Sequence, residues 1–163
     1  MATEKLSLLL EGENLSFNDL SKTLDKFEGM RVHVVGDTIV DSLTRATLIG
    51  ANAKTPTFSC RYERRTDYVG GAGVVAKHLS AAGATVTFST VLGDDALKDF
   101  VLENLEAAGV TAKAVIDSTR PTTNKNAFVA AGYRLLKVDT LDNRSISDKI
   151  LEELKEKISS SDG

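Results

Sequence analysis

Residues 68–83 read YVGGAGVVAKHLSAAG, and the fold of this chain depends on how that stretch is interpreted. Two adjacent glycines, with a third two places on, precede small and apolar residues that recur with helical spacing. Because glycine has no Cβ, its backbone can come very close to a ligand or to another segment of the chain. The stretch therefore predicts a helix that begins beside bare backbone, and two kinds of ligand would suit such a start.

The first candidate ligand is a dinucleotide. Gly71-x-Gly73-x-x-Ala76 matches the looser form of the fingerprint that places a pyrophosphate at a helix N-terminus, and Asp94 follows about twenty residues later. The fingerprint normally follows a buried first strand, whereas residues 63–68 are mostly polar and residues 32–35 already occupy the place of that strand. A dinucleotide-binding module stays open as an alternative.

The second candidate ligand is a sugar, and it brings in GDTIVD at residues 36–41. An ionised carboxylate at Asp41 accepts hydrogen bonds from two hydroxyls, and charge-assisted bonds of this kind contribute roughly 1.5–3 kcal/mol each. Gly70 and Gly71 would bring backbone N–H groups against a ring that carries hydroxyls. From these residues alone, a turn aspartate with a tightly packed helix start is an equally good interpretation.

The rest of the chain alternates between strand and helix patterns, which predicts an α/β fold with a Rossmann-like layered parallel sheet. The last helix is amphipathic, introduced by Asn143 to Ser145, with one apolar side formed by Ile146, Ile150, Leu151, Leu154 and Ile158. The predicted elements are strand 32–35, helix 72–82, strand 85–92, helix 96–108, strand 112–116, a hairpin of 122–130 and 134–140, and the last helix.

A small antiparallel β flap interrupts this alternation. Residues 43–51 and 57–68 alternate apolar or aromatic with polar side chains, which is typical of a sheet with one face in water. We therefore expect a lid at about residues 42–68 within a domain that spans residues 31–158. Residues 1–30 are expected to form a helical leader or linker with a helix start at Ser16, and residues 159–163 a frayed tail.

Composition excludes several classes of function. A net charge of −3 argues against nucleic acid as the main partner, and we interpret Arg61, Arg64 and Arg65 as a solvated strand face. The single cysteine, Cys60, allows no internal disulfide and favours a reducing, cytoplasmic setting. No Cys or His pair has metal-ligand spacing, so we expect no metal site. The longest N-terminal apolar run, Leu8 to Leu10, is too short for a signal peptide or a membrane span.

Three segments in order resemble the first half of the ribokinase-like (PfkB) carbohydrate kinases: GDTIVDSL, VGGAGVVAKHLSAAGATVTFSTVLGDD and RPTTNKNAFVAAGYRLLKVD. Within that family the chain looks most like the heptose 7-phosphate kinase domain of bacterial ADP-heptose synthesis. The resemblance covers residues 31 to 157. It implies a ribokinase-like fold that is incomplete here, and a complete protein that transfers the γ-phosphate of ATP, with Mg²⁺, to a hydroxyl of a sugar or sugar phosphate.

The resemblance also implies roles for individual residues. Asp41 matches the family aspartate that binds sugar hydroxyls, and Gly70 and Gly71 match the glycines that line the same pocket. Lys125 lies in the segment that resembles the family's sugar-facing hairpin, which makes it a candidate contact for a substrate phosphate. The lid closes over the sugar in this family and often makes a dimer contact, so a homodimer through the lid is expected.

Two departures from the family pattern limit what this chain is expected to do. Val74 stands where the family has an asparagine of the sugar pocket, and its side chain neither donates nor accepts a hydrogen bond. The family's catalytic base and anion hole lie in a GAGD motif, which this sequence does not contain. We therefore expect no catalytic residue, no bound cofactor and no kinase activity in this chain alone. A kinase-derived domain that only binds a ligand or partner is the alternative.

Overall fold

The computed structural model describes residues 2–52 and 57–160. Its architecture is a layered α/β core joined to a second, largely antiparallel sheet. The elements in chain order are α1 (Ala2–Gly12), α2 (Phe17–Asp25), β1 (Arg31–Val35), β2 (Thr38–Asn52), β3 (Thr57–Gly71), α3 (Ala72–Ala81), β4 (Thr85–Leu92), α4 (Ala96–Ala107), β5 (Val110–Ile116), β6 (Asn124–Ala130), β7 (Tyr133–Thr140) and α5 (Asp148–Ser159).

The core is a three-stranded parallel sheet in the order β1-β4-β5. Phe88 and Leu92 of the central strand are almost fully buried, and helices α3 and α4 contribute Ala76, Val101 and Leu105 to the same apolar cluster. Helix α5 contacts β4 and β5 from the other face. A parallel sheet is covered on both faces, which explains why consecutive residues of β4 are buried, the polar Ser89 and Thr90 among them. The predicted layered α/β fold is confirmed.

The second sheet, here called the lid, has the strand order β3-β2-β6-β7. Strand β2 pairs antiparallel with β3 and parallel with β6, and β6 and β7 form the predicted hairpin. The predicted antiparallel flap is therefore present. Its strands run from Thr38 to Gly71, beyond the expected 42–68, and the hairpin joins the same sheet. Pairing between β2 and β6 is non-local, so neither segment alone indicates it.

The N-terminal residues form two helices. Ser16 caps α2 as predicted, since its side chain accepts from Asp19 N at 3.2 Å and Asp19 Oδ2 accepts from Ser16 N at 2.9 Å. Helix α1 was not anticipated. Its Leu10 is buried while Leu8 and Leu9 are exposed, so the short apolar run belongs to a helix that packs through one side chain.

The predicted start of the last helix was wrong. Ser147 is the N-cap of α5 and accepts from Ile150 N at 3.4 Å, so Asn143 to Ser145 and Ile146 lie in the loop before it. Ser145 resembles an N-cap in sequence, but in the structure the side chain of Arg120 binds the backbone of this loop. Of the expected frayed tail, Ser159 ends α5 and residues 161–163 lie outside the described residues. No helix in the described ranges is both long and apolar enough to cross a bilayer.

Candidate sugar site at the base of the lid

Asp41 and Gly70 lie against each other where the lid joins the core. Strands β2 and β3 pair Ile39 with Gly70 and Asp41 with Tyr68. A Cβ added at Gly70 would clash with Asp41 Oδ2 and would lie 3.3 Å from Asp41 Cγ. The absence of a side chain at position 70 is therefore what leaves room for the Asp41 carboxylate. Asp41 itself is exposed.

Gly71 has a different task, which is to turn the chain from β3 into α3. Its φ of +61° and ψ of −139° are accessible essentially only to glycine. A Cβ there would meet the carbonyl oxygen of Asp37 at 2.5 Å. That carbonyl also accepts from Ala72 N at 2.9 Å, so the first turn of α3 is fastened to the end of β1.

The third glycine of the stretch serves packing. A Cβ at Gly73 would meet Val69 Cγ1 at 2.6 Å and Phe88 Cε1 at 3.6 Å. The strand before it, β3, is antiparallel and belongs to the lid, whereas the dinucleotide fingerprint follows a parallel core strand. Asp94, the candidate ribose ligand of that interpretation, forms an ion pair with Lys98 at 2.7 Å. The geometry therefore disfavours a dinucleotide at this helix start.

Lys125 shares a row of the lid with Asp41. Parallel pairing places Asp41 beside Lys125, and the next strand places Asp139 beside Lys125, so the row reads Tyr68, Asp41, Lys125, Asp139. Residues in register point to the same face of a sheet. Lys125 Nζ is 3.6 Å from Asp139 Oδ2, and its side chain is about one-third exposed.

This face of the lid, which we call the Asp41 face, carries a cavity of about 330 Å³. Its lining combines one carboxylate, three cations and an aromatic ring, which suits a polar and partly anionic ligand better than an apolar one. The lining residues are Asp41, Ser42, Leu43, Tyr68, Lys125, Ala127, Arg134 and Lys137. Sequence reasoning did not identify Tyr68, Arg134 or Lys137, because only the register of four strands assembles them.

A larger cavity of about 710 Å³ lies next to the first and shares Lys125 with it. It is formed where β1 and β4 end, below the base of the lid, which is the usual position for ligands in open α/β sheets. The side chains around it include Asp37, Ile39, Arg120, Asp142 and Arg144. Lys125 thus borders a crevice that runs from the lid into the core.

The loop that leads into β6 is held by the residues after β4. Gly93 N donates to Thr122 Oγ1 at 3.0 Å, and a Cβ at Gly93 would lie 2.7 Å from the carbonyl carbon of Pro121. Asp95 caps α4 through Leu97 N and also accepts from Thr122 N at 2.8 Å. The Gly-Asp-Asp segment therefore positions the strand that carries Lys125.

Arg120 fastens the loop before α5 to the same region. Its Nε donates to Asp117 Oδ2 at 2.8 Å, and its two terminal nitrogens donate to the carbonyls of Arg144 and Ser145 at 3.2 and 3.1 Å. Asp117 is buried, and hydrogen bonds from Thr119 hold the pKa of its carboxyl below the ordinary value. These bonds, rather than a helix cap, determine the path of the chain at 143–146.

Val74 is placed differently from the other predicted site residues. It is a half-buried residue of α3 and, among the described residues, is not part of the lining of either cavity. Asp41, Gly70 and Lys125 lie together, and Gly71 follows Gly70 directly. The described part of the chain holds no cluster of three or more His, Cys, Asp or Glu side chains arranged to bind a metal ion.

The combination of a layered α/β core with a β lid over its carboxyl edge is the ribokinase-like fold. Solved structures with this fold include a carbohydrate kinase from Agrobacterium tumefaciens, with a TM-score of 0.55 and 20% identity over 68% of this chain and 35% of that one. A ribokinase from Giardia lamblia gives a TM-score of 0.52 at 16% identity, over 77% of this chain and 40% of that one. At these identities the likeness establishes the fold alone.

The chain belongs to the pfkB family of carbohydrate kinases, whose family model matches residues 31–162. It is 30% identical over 141 residues to the bifunctional protein HldE of Desulfatibacillum aliphaticivorans, covering 86% of this chain and 28% of that protein. It is 34% identical over 109 residues to a D-beta-D-heptose 7-phosphate kinase of Bordetella bronchiseptica, covering 67% of this chain and 35% of the kinase. The chain thus spans about a third of these relatives.

Asp142, in the wall of the larger cavity, should titrate far below the usual range of an aspartate. Hydrogen bonds from the Arg144 side chain and backbone lower its pKa from 3.8 to about 2. Because the folded-state pKa is depressed, the pair stabilises the fold above pH 3.8, and this stabilisation is lost as the pH falls toward 2. NMR titration of the Asp142 carboxyl carbon measures this directly.

In that titration, Arg144→Gln should move the Asp142 pKa up toward 3.8, because it removes the charged side chain whose hydrogen bonds lower the pKa most and keeps the bond from the backbone N–H. Arg134→Gln, a change of the same charge on the lid, should leave it unchanged. A wild-type value already close to 3.8, or one that Arg144→Gln does not move, would contradict the assigned cause.

Proposed function

We propose that this chain is the sugar-binding, N-terminal part of an ATP-dependent carbohydrate kinase that phosphorylates a hydroxyl of a sugar or sugar phosphate. The observation that carries the proposal is the exposed carboxylate of Asp41, seated over the bare backbone of Gly70 and beside Lys125 at the mouth of a cavity. Membership of the pfkB family and the names of the relatives support the same class of substrate.

Asp41 would orient the acceptor sugar. Each of its two oxygens accepts a hydroxyl hydrogen bond. Gly70 is buried beside the carboxylate, and its lack of a side chain leaves the space that Asp41 occupies. Tyr68, the neighbour of Asp41 on β3, is 56% exposed and offers an apolar ring surface for the C–H face of a sugar. A carboxylate next to an aromatic ring suits a molecule with one polar and one apolar face.

The cations of the Asp41 face favour an acceptor that already carries a phosphate. Lys137 lies one row beyond Asp41 and Lys125, at about 7 Å along the strands, and Arg134 one row further. Arg45 and Arg64 are paired directly across β2 and β3 in the row of Arg134. Like charges in register destabilise a sheet, and a bound anion would offset that repulsion.

We propose that ATP and Mg²⁺ bind the complete protein, and two features of this chain support that assignment. The glycine-rich start of α3 is occupied by its own backbone bond to Asp37, and Gly73 faces Val69 and Phe88. The GAGD motif that the family uses for its base and anion hole is not in the sequence. For this chain alone we propose acceptor binding without phosphoryl transfer, in a cytoplasmic setting.

A non-catalytic binding domain is the second candidate, and Val74 is the feature that favours it. Since the valine side chain makes no hydrogen bond, a sugar would lose one of the partners that the family provides. The two candidates share the acceptor site and differ in whether a complete protein transfers phosphate. Kinase assays of the complete protein with ATP and a heptose 7-phosphate separate them.

Asp41→Asn should weaken acceptor binding by about 100-fold, since it removes the charge from two hydrogen bonds that contribute roughly 1.5–3 kcal/mol each. Isothermal titration calorimetry of this chain with a heptose 7-phosphate measures the change. In the complete protein the variant should raise the KM for the sugar and leave ATP affinity unaltered.

Asp139→Asn is the matched control for Asp41, because it lies in the same row of the lid two strands away. It should leave acceptor affinity unchanged or increase it, since it frees Lys125 and Lys137 from their ion pairs. Equal losses in the two variants would show that the charge of the face matters and the position of Asp41 does not.

Lys125→Met should distinguish a phosphorylated from an unphosphorylated acceptor. Methionine keeps the length of the side chain and removes its charge, so binding of a heptose 7-phosphate should weaken about tenfold, or about 1.4 kcal/mol, while the free heptose binds as before. The difference should shrink at high salt. A loss of the same size for both sugars would place Lys125 on a hydroxyl instead of a phosphate.

The lid is also the surface on which we propose a homodimer. Large apolar side chains are exposed at its outer end, among them Ile49, Phe58, Tyr62 and Tyr133, each at least 64% exposed. A cluster of this kind marks an interaction surface in a water-soluble domain. A second copy of the chain would cover it by an isologous contact.

Sedimentation velocity should find a dimer at micromolar concentration, and Phe58→Ser should shift it toward monomer because it removes apolar area from the contact. Leu9→Ser, an equally exposed position on α1, is the control and should leave the dimer intact. If both changes weaken association, or neither does, the lid is not the contact.

A further inference from the structure

One buried side-chain amide binds both residues that flank Asp41, one through its backbone carbonyl and the other through its hydroxyl. Asn124 Nδ2 donates to the carbonyl of Val40 at 2.8 Å and to the hydroxyl of Ser42 at 2.7 Å. Val40 and Ser42 immediately precede and follow Asp41. Asn124 is in register with Val40, so its side chain lies on the sheet face opposite to Asp41 and reaches the aspartate only through the backbone of β2.

The Asn124 amide belongs to a hydrogen-bond network that restricts the movement of Asn124 and Ser42. Ser42 Oγ donates to Asp67 Oδ1 at 2.5 Å, and the same oxygen accepts from Arg65 Nε at 2.7 Å. Asn124 and Ser42 are 6% and 4% exposed, so water does not replace these bonds readily. Val40 N also donates to Thr123 O at 2.8 Å, which fastens the same segment of β2 to the start of β6.

A neighbouring asparagine, Asn126, binds β2 differently from Asn124. Asn126 lies two residues further along β6 on the same face, and its Oδ1 accepts from Thr44 Oγ1 at 2.8 Å. That bond joins two side chains, whereas the Asn124 bond to Val40 takes a backbone carbonyl of β2. The same residue type on the same strand therefore holds β2 in two different ways.

We propose that Asn124 is a positioning residue for the acceptor site: it holds residues 40–42 so that the Asp41 carboxylate stays over Gly70 when no sugar is bound. The inference rests on the proposed role of Asp41 in sugar binding. A hydroxyl bond to a carboxylate spans 2.5–3.0 Å, so a shift of the β2 backbone by a fraction of an ångström weakens it. If the site is already ordered before the sugar binds, no binding free energy is lost in ordering it.

The first test needs no ligand. Amide hydrogen exchange, measured by NMR on this chain, should be about tenfold faster at residues 40–42 in Asn124→Ala than in the wild type. In Asn126→Ala these amides should exchange at the wild-type rate. If both variants accelerate exchange at 40–42 equally, the network merely stabilises the lid and the proposal fails, whatever the ligand of the site is.

Binding and coupling to Asp41 form the second test. With heptose 7-phosphate as the probe, Asn124→Ala should weaken binding about tenfold and Asn126→Ala less than twofold. Because Asn124 acts through Asp41, the double variant Asp41→Asn/Asn124→Ala should bind no more weakly than Asp41→Asn alone. Additive losses would show that Asn124 acts independently of the aspartate and would overturn the proposal.

Asn124→Asp keeps the shape of the side chain and guards against loss of folding in the alanine variant. Its carboxylate has no hydrogen to donate to the Val40 carbonyl or to the Ser42 hydroxyl, so faster exchange at residues 40–42 is expected here too. Unchanged exchange would overturn the proposal. If the wild-type chain does not bind the probe, the proposed function fails, and the exchange measurements still decide whether Asn124 positions Asp41.

Discussion

The structure depends on the close approach of a carboxylate to a residue without a side chain. Asp41 on β2 occupies the space that a Cβ at Gly70 on β3 would fill, so the two strands can meet at the base of the lid with a charge between them. The next residue, Gly71, then turns the chain into α3 with a backbone conformation that other residues do not adopt readily. Gly70 thus leaves room for the Asp41 carboxylate, and Gly71 connects the lid to the first core helix.

Strand β2 is the element on which both sheets converge. It begins beside the core, where Val40 is fully buried, and continues as a central strand of the lid between β3 and β6. Alternation along the strand separates two tasks: Asp41 faces the cavity, while Val40 and Ser42 face the packed side. Bonds from β6 on the packed side can therefore influence the open side only through the backbone.

In the polar loops around the crevice, backbone N–H and C=O groups are also hydrogen-bonded to side chains. Gly93 and Asp95 bind the backbone and hydroxyl of residue 122, and Arg120 takes two carbonyls from the loop before α5. The segments that resemble family motifs in the sequence are, in the structure, the parts that dock these loops on one another. The hydrogen bonds of these segments hold the strand that carries Lys125, and this role requires no direct contact with a ligand.

Much of the secondary structure was predictable because it follows from local patterns. The positions of β4, of the start of α2 at Ser16 and of the two lid strands agree with the sequence. The expected alternation of buried and exposed side chains is absent from the outer part of β3, because residues 57–65 are exposed on both faces. The predicted start of α5 was wrong because Ser145 and Ser147 look alike in sequence. In the structure Ser147 Oγ accepts from Ile150 N, whereas Arg120 binds the Ser145 carbonyl in the loop before the helix. Helix α1 was missed because it packs mainly through Leu10.

By itself, then, the sequence determined the α/β layering and the flap, and it named Asp41, Gly70 and Gly71 as candidates for a carbohydrate site, since these depend on periodicity, glycine conformation and motif resemblance. Only the tertiary structure decided that the hairpin joins the lid and that Lys125, Arg134 and Lys137 share a face with Asp41. It alone showed that Asn124 binds the residues on either side of Asp41. Strand register across four segments brings these residues together, and no local pattern encodes register between strands distant in sequence.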